Sequence, residues 1–190
     1  GGDCLYPVNP GLADRIWQAT FNLDGAQRAG RAGDGLMLSR NQPRAQGPGR
    51  LSLDQIQNPL IDAYLEALPP GREPRILASR TVFVADDRKE ALRFCEKGFA
   101  AYGARRAGLR RMPQGASVEE AIAALDIHTG VPEEVISSLQ ADSALARATD
   151  WSVQVHSIDP PHEYILRSIE LMAQIVAPAL GWQPAAAAGV

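Results

Sequence analysis

The sequence predicts an α/β fold in which parallel strands are covered by helices. Three observations carry that reading. The stretch Arg15 to Arg40, RIWQATFNLDGAQRAGRAGDGLMLSR, reads strand, turn, helix, strand. Two further strand-like runs, Arg75 to Ala85 and Trp151 to His156, alternate with helical segments. Leu36-Met37-Leu38 is a continuous apolar run, as expected of a strand covered on both faces.

Each element has its own signal. The first fourteen residues read as loop, with Pro7, Pro10 and Gly11. Ile16 to Thr20 is compatible with a strand. Asn22 is a helix cap, able to accept a bond from an N–H two or three residues on. Ala26, Ala29 and Ala32 let the helix pack closely on a sheet, and Gly33-Asp34-Gly35 stops it. Two strands joined by one helix make a βαβ unit with parallel strands and a right-handed crossover. Residues 41–50 are a turn-rich connection. Ser52 with Gln55 resembles a capping box, and Asn58-Pro59 offers a second helix start. That helix runs to about Ala67, burying Leu60, Ile61, Tyr64 and Leu65, and Pro69-Pro70-Gly71 ends it.

After the strand from Arg75 to Ala85, a helix is predicted from Lys89 to about Arg106. Ala91, Leu92, Cys95, Phe99 and Tyr102 share one face of it. Ser117 with Glu120 caps a short helix, and Pro132 starts another carrying Val135, Ile136 and Leu139. Pro161 starts a long amphipathic helix through Ala177. The Ala-rich tail, 183–190, is expected to be disordered, leaving one domain over residues 1–182.

Composition narrows the function classes. With 45% apolar and 22% charged residues the chain reads as globular, and its net charge of −3 gives no electrostatic case for nucleic acid. No apolar run approaches a membrane span. Gly1-Gly2-Asp3 opens without a basic then apolar segment, so no signal peptide is expected and a cytoplasmic setting is the default. Of the two cysteines, Cys4 falls in a loop and Cys95 on a helix face, where it reads as a small core residue. Neither these cysteines nor the three histidines have metal-ligand spacing. There is no P-loop, no G-x-G-x-x-G after a strand and no G-x-S-x-G elbow.

The segment PVNPGLADRIWQATFNLDGAQRAGRAGDGLMLSR resembles the middle-to-late part of the luciferase-like, flavin-dependent monooxygenases. Thr81 to Asp86 with Glu90-Ala91, Gly130 to Val135, and Ser168 to Leu171 leading to Val176 to Leu180 extend the resemblance. Order and spacing together carry it, over roughly Pro7 to Trp182. The resemblance implies the C-terminal half of a (β/α)8 TIM barrel, its last four strands, with a helical insertion before the final one. It also implies a monooxygenase taking reduced flavin mononucleotide (FMN) from a separate flavin reductase and acting on an organic substrate with O2. The same fold hosts deazaflavin-dependent oxidoreductases, a second enzyme reading. A third reading is an inert or merely flavin-binding half-barrel.

Half a barrel has two unpaired strand edges and an uncovered sheet face. Three arrangements answer that problem: a longer enzyme supplies the other half, two copies pair as a homodimer, or rearranged helices cover the sheet.

Barrels of this type place their sites at the C-terminal ends of strands. Thr20, Phe21, Asn22 and Gly25 follow the first strand and open a helix, whose free N–H groups suit a phosphate. By the resemblance this loop contacts the flavin phosphate, although the family often has Ser or Thr where this chain has Phe21-Asn22, and an inward Asp24 would repel an anion. The plain alternative is a helix cap. Ser39 and Arg40 follow the second strand, near the flavin ring by the resemblance, where Arg40 can bond a flavin carbonyl or an anionic substrate. A surface arginine is the plain alternative. His156 follows the last strand and is the candidate catalytic residue, histidine being the usual acid–base group near neutral pH. The alternative is a polar residue at a strand end. His128 and His162 read as caps or surface at helix starts. Arg105, Arg106, Arg110 and Arg111, within the insertion from Gly98 to Thr129, are candidates for a basic lid or a solvated helix end.

Overall fold

The computed structural model of the protein describes residues 6, 9, 11–44, 50–105 and 115–182. Five strands form one parallel sheet: β1 (Trp17–Thr20), β2 (Gly35–Leu38), β3 (Ile76–Val84), β4 (Ile127–Gly130) and β5 (Asp150–Gln154). The helices are α1 (Leu23–Ala32), α2 (Leu53–Ala67), α3 (Arg88–Arg105), α4 (Val118–Leu125), α5 (Pro132–Gln140) and α6 (His162–Leu171).

Strand β3 is the spine. Its Thr81 is matched with Ile127 of β4 and with Gln154 of β5, so those two strands lie on opposite edges of β3. The Arg75 carbonyl just before β3 accepts from Leu36, while the next carbonyl, Ile76, accepts from Thr149. Alternate backbone groups face alternate edges of a strand, so β2 and β5 also flank β3 on opposite sides. Four strands therefore run side by side as β1-β2-β3-β5. The short β4 continues the β2 edge beyond Leu38.

One face of this sheet is packed throughout, and the other is open except at the end of β3, where Phe83 packs with Phe94, Cys95 and Phe99 of α3 and Ala121 of α4. Leu36, Leu38 and Ile76 meet Ala26, Ala29, Leu60, Ile61 and Tyr64 of α1 and α2. Ala78, Val82 and Val84 meet Val135 and Leu139 of α5 and Leu171, Met172 and Val176. On the other face Ala19 and Ser152 are exposed, Met37 is 36% exposed, and Trp17, Leu77, Ser79 and Gln154 are half-buried. Among the described residues β1 pairs only with β2, and β5 only with β3. Among the described residues the unpaired edges expected of a half-barrel are thus present, and the expected uncovered face is present only in part, because α3 and α4 cover it around Phe83.

Close approaches explain several small residues. A Cβ on Gly30 would come within 2.5 Å of the Tyr64 carbonyl, so α1 and α2 cross backbone to backbone there. Tyr64 is fully buried and its hydroxyl is satisfied, donating to the Asp34 carbonyl (2.9 Å) and accepting from the Arg75 N–H (3.2 Å). Gly33 ends α1 in the left-handed region at φ 69°. Ala26 and Ala29 are fully buried as expected, whereas Ala32 is exposed.

Several expectations are corrected. Asn58-Pro59 does not start a second helix; α2 is continuous from its Ser52/Gln55 capping box, with Pro59 inside it. Leu65 lies on its solvent side, 40% exposed. The last helix is interrupted by a π-helical turn, Met172–Val176, before Ala177–Ala179. Strand β4 lies where no strand was expected, because Ile127-His128-Thr129-Gly130 has too few apolar residues to show a period. His128 is consequently neither a cap nor a surface group but a 7% exposed residue of that strand. Cys95 is fully buried as predicted, and burial pushes its thiol up to about 11. Cys4, the 183–190 tail and most of the expected basic lid lie outside the described residues.

Candidate functional site

The C-terminal ends of β1, β2 and β5 open onto the uncovered side of the sheet. Thr20, Phe21, Asn22, Gly25, Ser39, Arg40 and His156, singled out from the sequence for cofactor binding or catalysis, lie at or just past these ends. They fall into two groups.

The first group is the turn between β1 and α1. The Thr20 hydroxyl accepts from the Asn22 N–H (3.2 Å) and lies 3.1 Å from the Asn22 carbonyl, to which it donates. The Asn22 carboxamide accepts from the Gly25 N–H at 2.8 Å, the cap its position predicts. A Cβ on Gly25 would sit 1.9 Å from the Thr20 hydroxyl oxygen, so only glycine lets the helix start press onto the strand end. Phe21 is 55% exposed, and its carbonyl accepts from the Gln42 side chain at 3.0 Å. Asp24 is exposed in the first turn of α1. Phe21 and Asn22 also border a shallow depression shared with Leu23, Asp24, Ile56 and Pro59.

The second group is a polar line across the open face. Arg40 Nη1 donates to the Thr81 hydroxyl at 3.2 Å, reaching from the end of β2 to β3. Thr81 is matched across the sheet with Gln154. Gln154 Nε2 lies 2.9 Å from His156 Nε2, with His156 exposed and Gln154 half-buried. Arg40, Thr81, Gln154 and His156 are therefore consecutive along one row. The sequence reading identified the ends of that row and missed its middle. Thr81 looked like part of an apolar strand, and Gln154 like one residue of a short one. The signal was the register, which only the paired strands supply.

Ser39 stands slightly apart. Its hydroxyl accepts from the Asn41 N–H at 3.1 Å, and its carbonyl accepts from the buried Gln57 side chain at 3.0 Å. These two bonds shape the loop that carries Arg40. The far end of that loop is tied down by the Arg44–Asp126 ion pair, and Asp126 also accepts from the Leu53 N–H at 2.9 Å. His162 begins α6 and is exposed. No cluster of three or more His, Cys, Asp or Glu side chains suited to a metal is found among the described residues. No helix of the described residues is long and apolar enough to cross a membrane.

No protein-family model and no curated protein matches the sequence. Solved structures do. Monooxygenase RslO1 from Streptomyces bottropensis shares 26% identity at a TM-score of 0.57, with 87% of this chain and 48% of that one covered. The oxygenating constituent of 3,6-diketocamphane monooxygenase from the CAM plasmid of Pseudomonas putida is a type II Baeyer-Villiger monooxygenase solved with FMN. It shares 23% identity at a TM-score of 0.50, with 87% and 48% covered. Coenzyme F420-dependent tetrahydromethanopterin reductase from Methanopyrus kandleri shares 15% identity at 0.51, with 86% and 50% covered. The chain thus spans about half the length of the solved proteins it matches. The likeness to luciferase-like flavin-dependent monooxygenases read from the sequence is matched by these neighbours, and the parallel, helix-covered sheet is the fold they share.

Proposed function

We propose that this chain forms one half of a flavin-dependent, luciferase-like monooxygenase and that its strand ends hold the flavin. The observation that carries the reading is the row Arg40, Thr81, Gln154, His156 on the open face of a sheet whose fold is that of flavin enzymes. The residues fit such a group. The Gly25 cradle brings the start of α1 down onto the end of β1, where helix N–H groups and dipole favour a phosphate. Arg40 is a fixed cation beside that turn, tied to it through Gln42 and Phe21. An arginine suits a ring carbonyl or an anionic substrate.

In this reading Thr20, Phe21, Asn22 and Gly25 shape the phosphate end. Arg40, presented by Ser39, holds the ring or the substrate. His156, fixed by Gln154, moves a proton at the substrate. The bound flavin, reduced by a separate reductase, supplies the chemistry with O2, and the protein holds reactants and excludes water. The reduced cofactor is taken to be FMN. An F420-type deazaflavin is the second reading, favoured by the likeness to the F420-dependent reductase.

Titration of the purified chain with FMN, followed by quenching of flavin fluorescence, tests the reading. Saturable binding weakened by Arg40→Met supports it. Binding of F420 in preference to FMN moves the assignment to the second reading. Failure of both ligands to bind would make this chain a scaffold without a flavin site of its own.

A further inference from the structure

We propose that Gly98 on α3 is a positioning residue for His156: it lets the helix backbone press on the turn after β5 and so holds the imidazole against Gln154. The inference rests on the reading of His156 as the candidate catalytic residue, and it concerns contacts made wholly within this chain.

A glycine inside a helix needs a reason, because it gives up the helix preference that alanine has. Gly98 lies in the interior of the 18-residue α3. A Cβ there would come within 2.3 Å of the Ile158 carbonyl oxygen, 2.8 Å of its carbonyl carbon and 3.0 Å of its Cα. All three atoms are backbone, so no side chain can swing aside to make room. Helix and turn are therefore in direct backbone contact, two residues beyond His156.

The turn has little freedom to yield. The Asp159 N–H donates to the His156 carbonyl at 3.0 Å, closing residues 156–159 into one turn. Asp159 takes a left-handed φ of 52°, a conformation that aspartate tolerates better than most residues. The Ile158 side chain is 2% exposed and shares one apolar cluster with Phe83 of β3 and with Phe94, Cys95 and Phe99 of α3. That helix is itself fixed on two sides. Phe94 meets Phe83 edge-on at 5.9 Å between ring centres, and Tyr164 of α6 at 4.6 Å. Ile158 is thus gripped, while His156 and Ser157 stay exposed.

The grip has a chemical consequence at the ring. His156 Nε2 faces Gln154 Nε2 at 2.9 Å. A carboxamide nitrogen only donates, so the ring nitrogen facing it accepts. The neutral imidazole then carries its proton on Nδ1, because the bond made by one ring nitrogen sets the state of the other. Free histidine favours the opposite form, Nε2–H. Held this way, His156 offers a ligand a hydrogen-bond donor at Nδ1, suited to a carbonyl or anionic oxygen, while its Nε2 lone pair is engaged by Gln154.

Nitrogen-15 NMR of the histidine rings tests the proposal at about pH 8, above the ordinary imidazole value of about 6.5, with no flavin added. Long-range proton–nitrogen correlations give the tautomer, and the His156 signals are identified by their loss in His156→Asn. The unaltered protein should show mainly Nδ1–H at His156. Gln154→Met should move the ring toward Nε2–H, and Gly98→Ala should move it the same way. His128 is the control for an intact core: its Nδ1 lies 2.8 Å from Ser138 of α5, and its signals should hold in every variant. An Nε2–H ring at His156 in the unaltered protein overturns the proposal. So does a Gly98→Ala variant that keeps the His128 signals and leaves His156 unmoved. Should Gly98→Ala lose the His128 signals and fail to fold, Ile158→Val decides, since it loosens the Ile158 anchor by one methyl group. It should move the His156 signals in the same direction by less, and no movement overturns the proposal. Because flavin takes no part, a result against Gly98 leaves the flavin assignment standing. A failed flavin titration, in turn, leaves the positioning contact standing.

Discussion

Arg80 and Asp142 form a two-bonded ion pair inside the helix-covered side of the sheet, with Nε to Oδ2 at 2.6 Å and Nη2 to Oδ1 at 3.0 Å. Arg80 is fully buried and Asp142 is 9% exposed. The remaining bonds are also made: Arg80 Nη1 donates to the Ser79 carbonyl at 2.8 Å, and Asp142 accepts from the Leu145 N–H at 2.8 Å. The pair joins β3 to the segment after α5. Removing one partner leaves a buried charge unpaired. Asp142→Ala should therefore cost about 3–5 kcal/mol in urea unfolding. Replacing both residues, Arg80→Met with Asp142→Leu, should recover most of that loss. Equal losses in the single and double variants would mean that the ion pair does not set the stability here.

His128 sits beside this pair and predicts a pH dependence. Its Nδ1 lies 2.8 Å from the Ser138 hydroxyl, and its Nε2 is buried without a hydrogen bond, 3.8 Å from Asp142 Oδ2. Burial lowers the imidazole pKa below its ordinary value, partly opposed by the attraction of Asp142 and reinforced by Arg80. A histidine depressed in the folded state takes up its proton more readily when unfolded. The stability it confers is complete above about pH 6.5, the unfolded value, and falls as the pH drops below that. Urea midpoints between pH 7.5 and 5 should decline, and His128→Gln should flatten that decline. An unchanged slope in the variant would assign the acid sensitivity to other groups.

Cys95 carries a second consequence of burial. With its thiol pushed up to about 11, it should react slowly with a maleimide or disulfide reagent at neutral pH in the native chain and rapidly once the chain is unfolded. Fast native-state labelling at Cys95 would show that α3 opens locally.

Legibility in the sequence followed length and local bonding. The βαβ unit was readable because its signals are local: an Asn cap, small residues, a Gly stop and an apolar run. Capping boxes at Ser52 and Ser117 were readable for the same reason. Strand β4 was not, since four residues carry no period and its place is set by pairing with Thr81 to Val84. His128 followed it into error, because a histidine looks like surface until a strand carries it inward. The row across the open face was half legible. Arg40 and His156 stand at strand ends and announce themselves, whereas Thr81 and Gln154 acquire meaning only when β3 and β5 come into register. The buried Arg80–Asp142 pair was invisible for a similar reason, its members being 62 residues apart.

Gly25 tests the first strand end. A Cβ there would overlap the Thr20 hydroxyl at 1.9 Å. Forcing a methyl into such a contact typically costs about 1–3 kcal/mol. Gly25→Ala should lower stability by that order and should weaken FMN binding, because the helix start must move off the strand. Asn22→Ala removes only the cap and should cost about 0.5–2 kcal/mol. Since Thr20 is the clashing partner, Thr20→Ala should partly rescue Gly25→Ala. Absence of rescue would show that the glycine is needed for another reason.

Thr81 separates a binding role for Arg40 from a structural one. Arg40 bonds the Thr81 hydroxyl at 3.2 Å, and Thr81 is 6% exposed. Thr81→Val keeps the shape and removes that acceptor, so the guanidinium loses one of the contacts that aim it. If Arg40 bonds the flavin or its phosphate, Arg40→Met deletes a charge-assisted hydrogen bond worth about 1.5–3 kcal/mol, or roughly ten- to a hundredfold in Kd. Thr81→Val should then weaken binding by a smaller factor in the same direction. Once Arg40→Met is present, adding Thr81→Val should change little further, since both act through one group. His156→Asn should leave FMN affinity nearly unchanged and lower turnover, because its assigned work is a proton transfer at the substrate. Additive losses from Arg40→Met and Thr81→Val would show that Thr81 acts independently of Arg40, and the row across the sheet would then not be one binding unit.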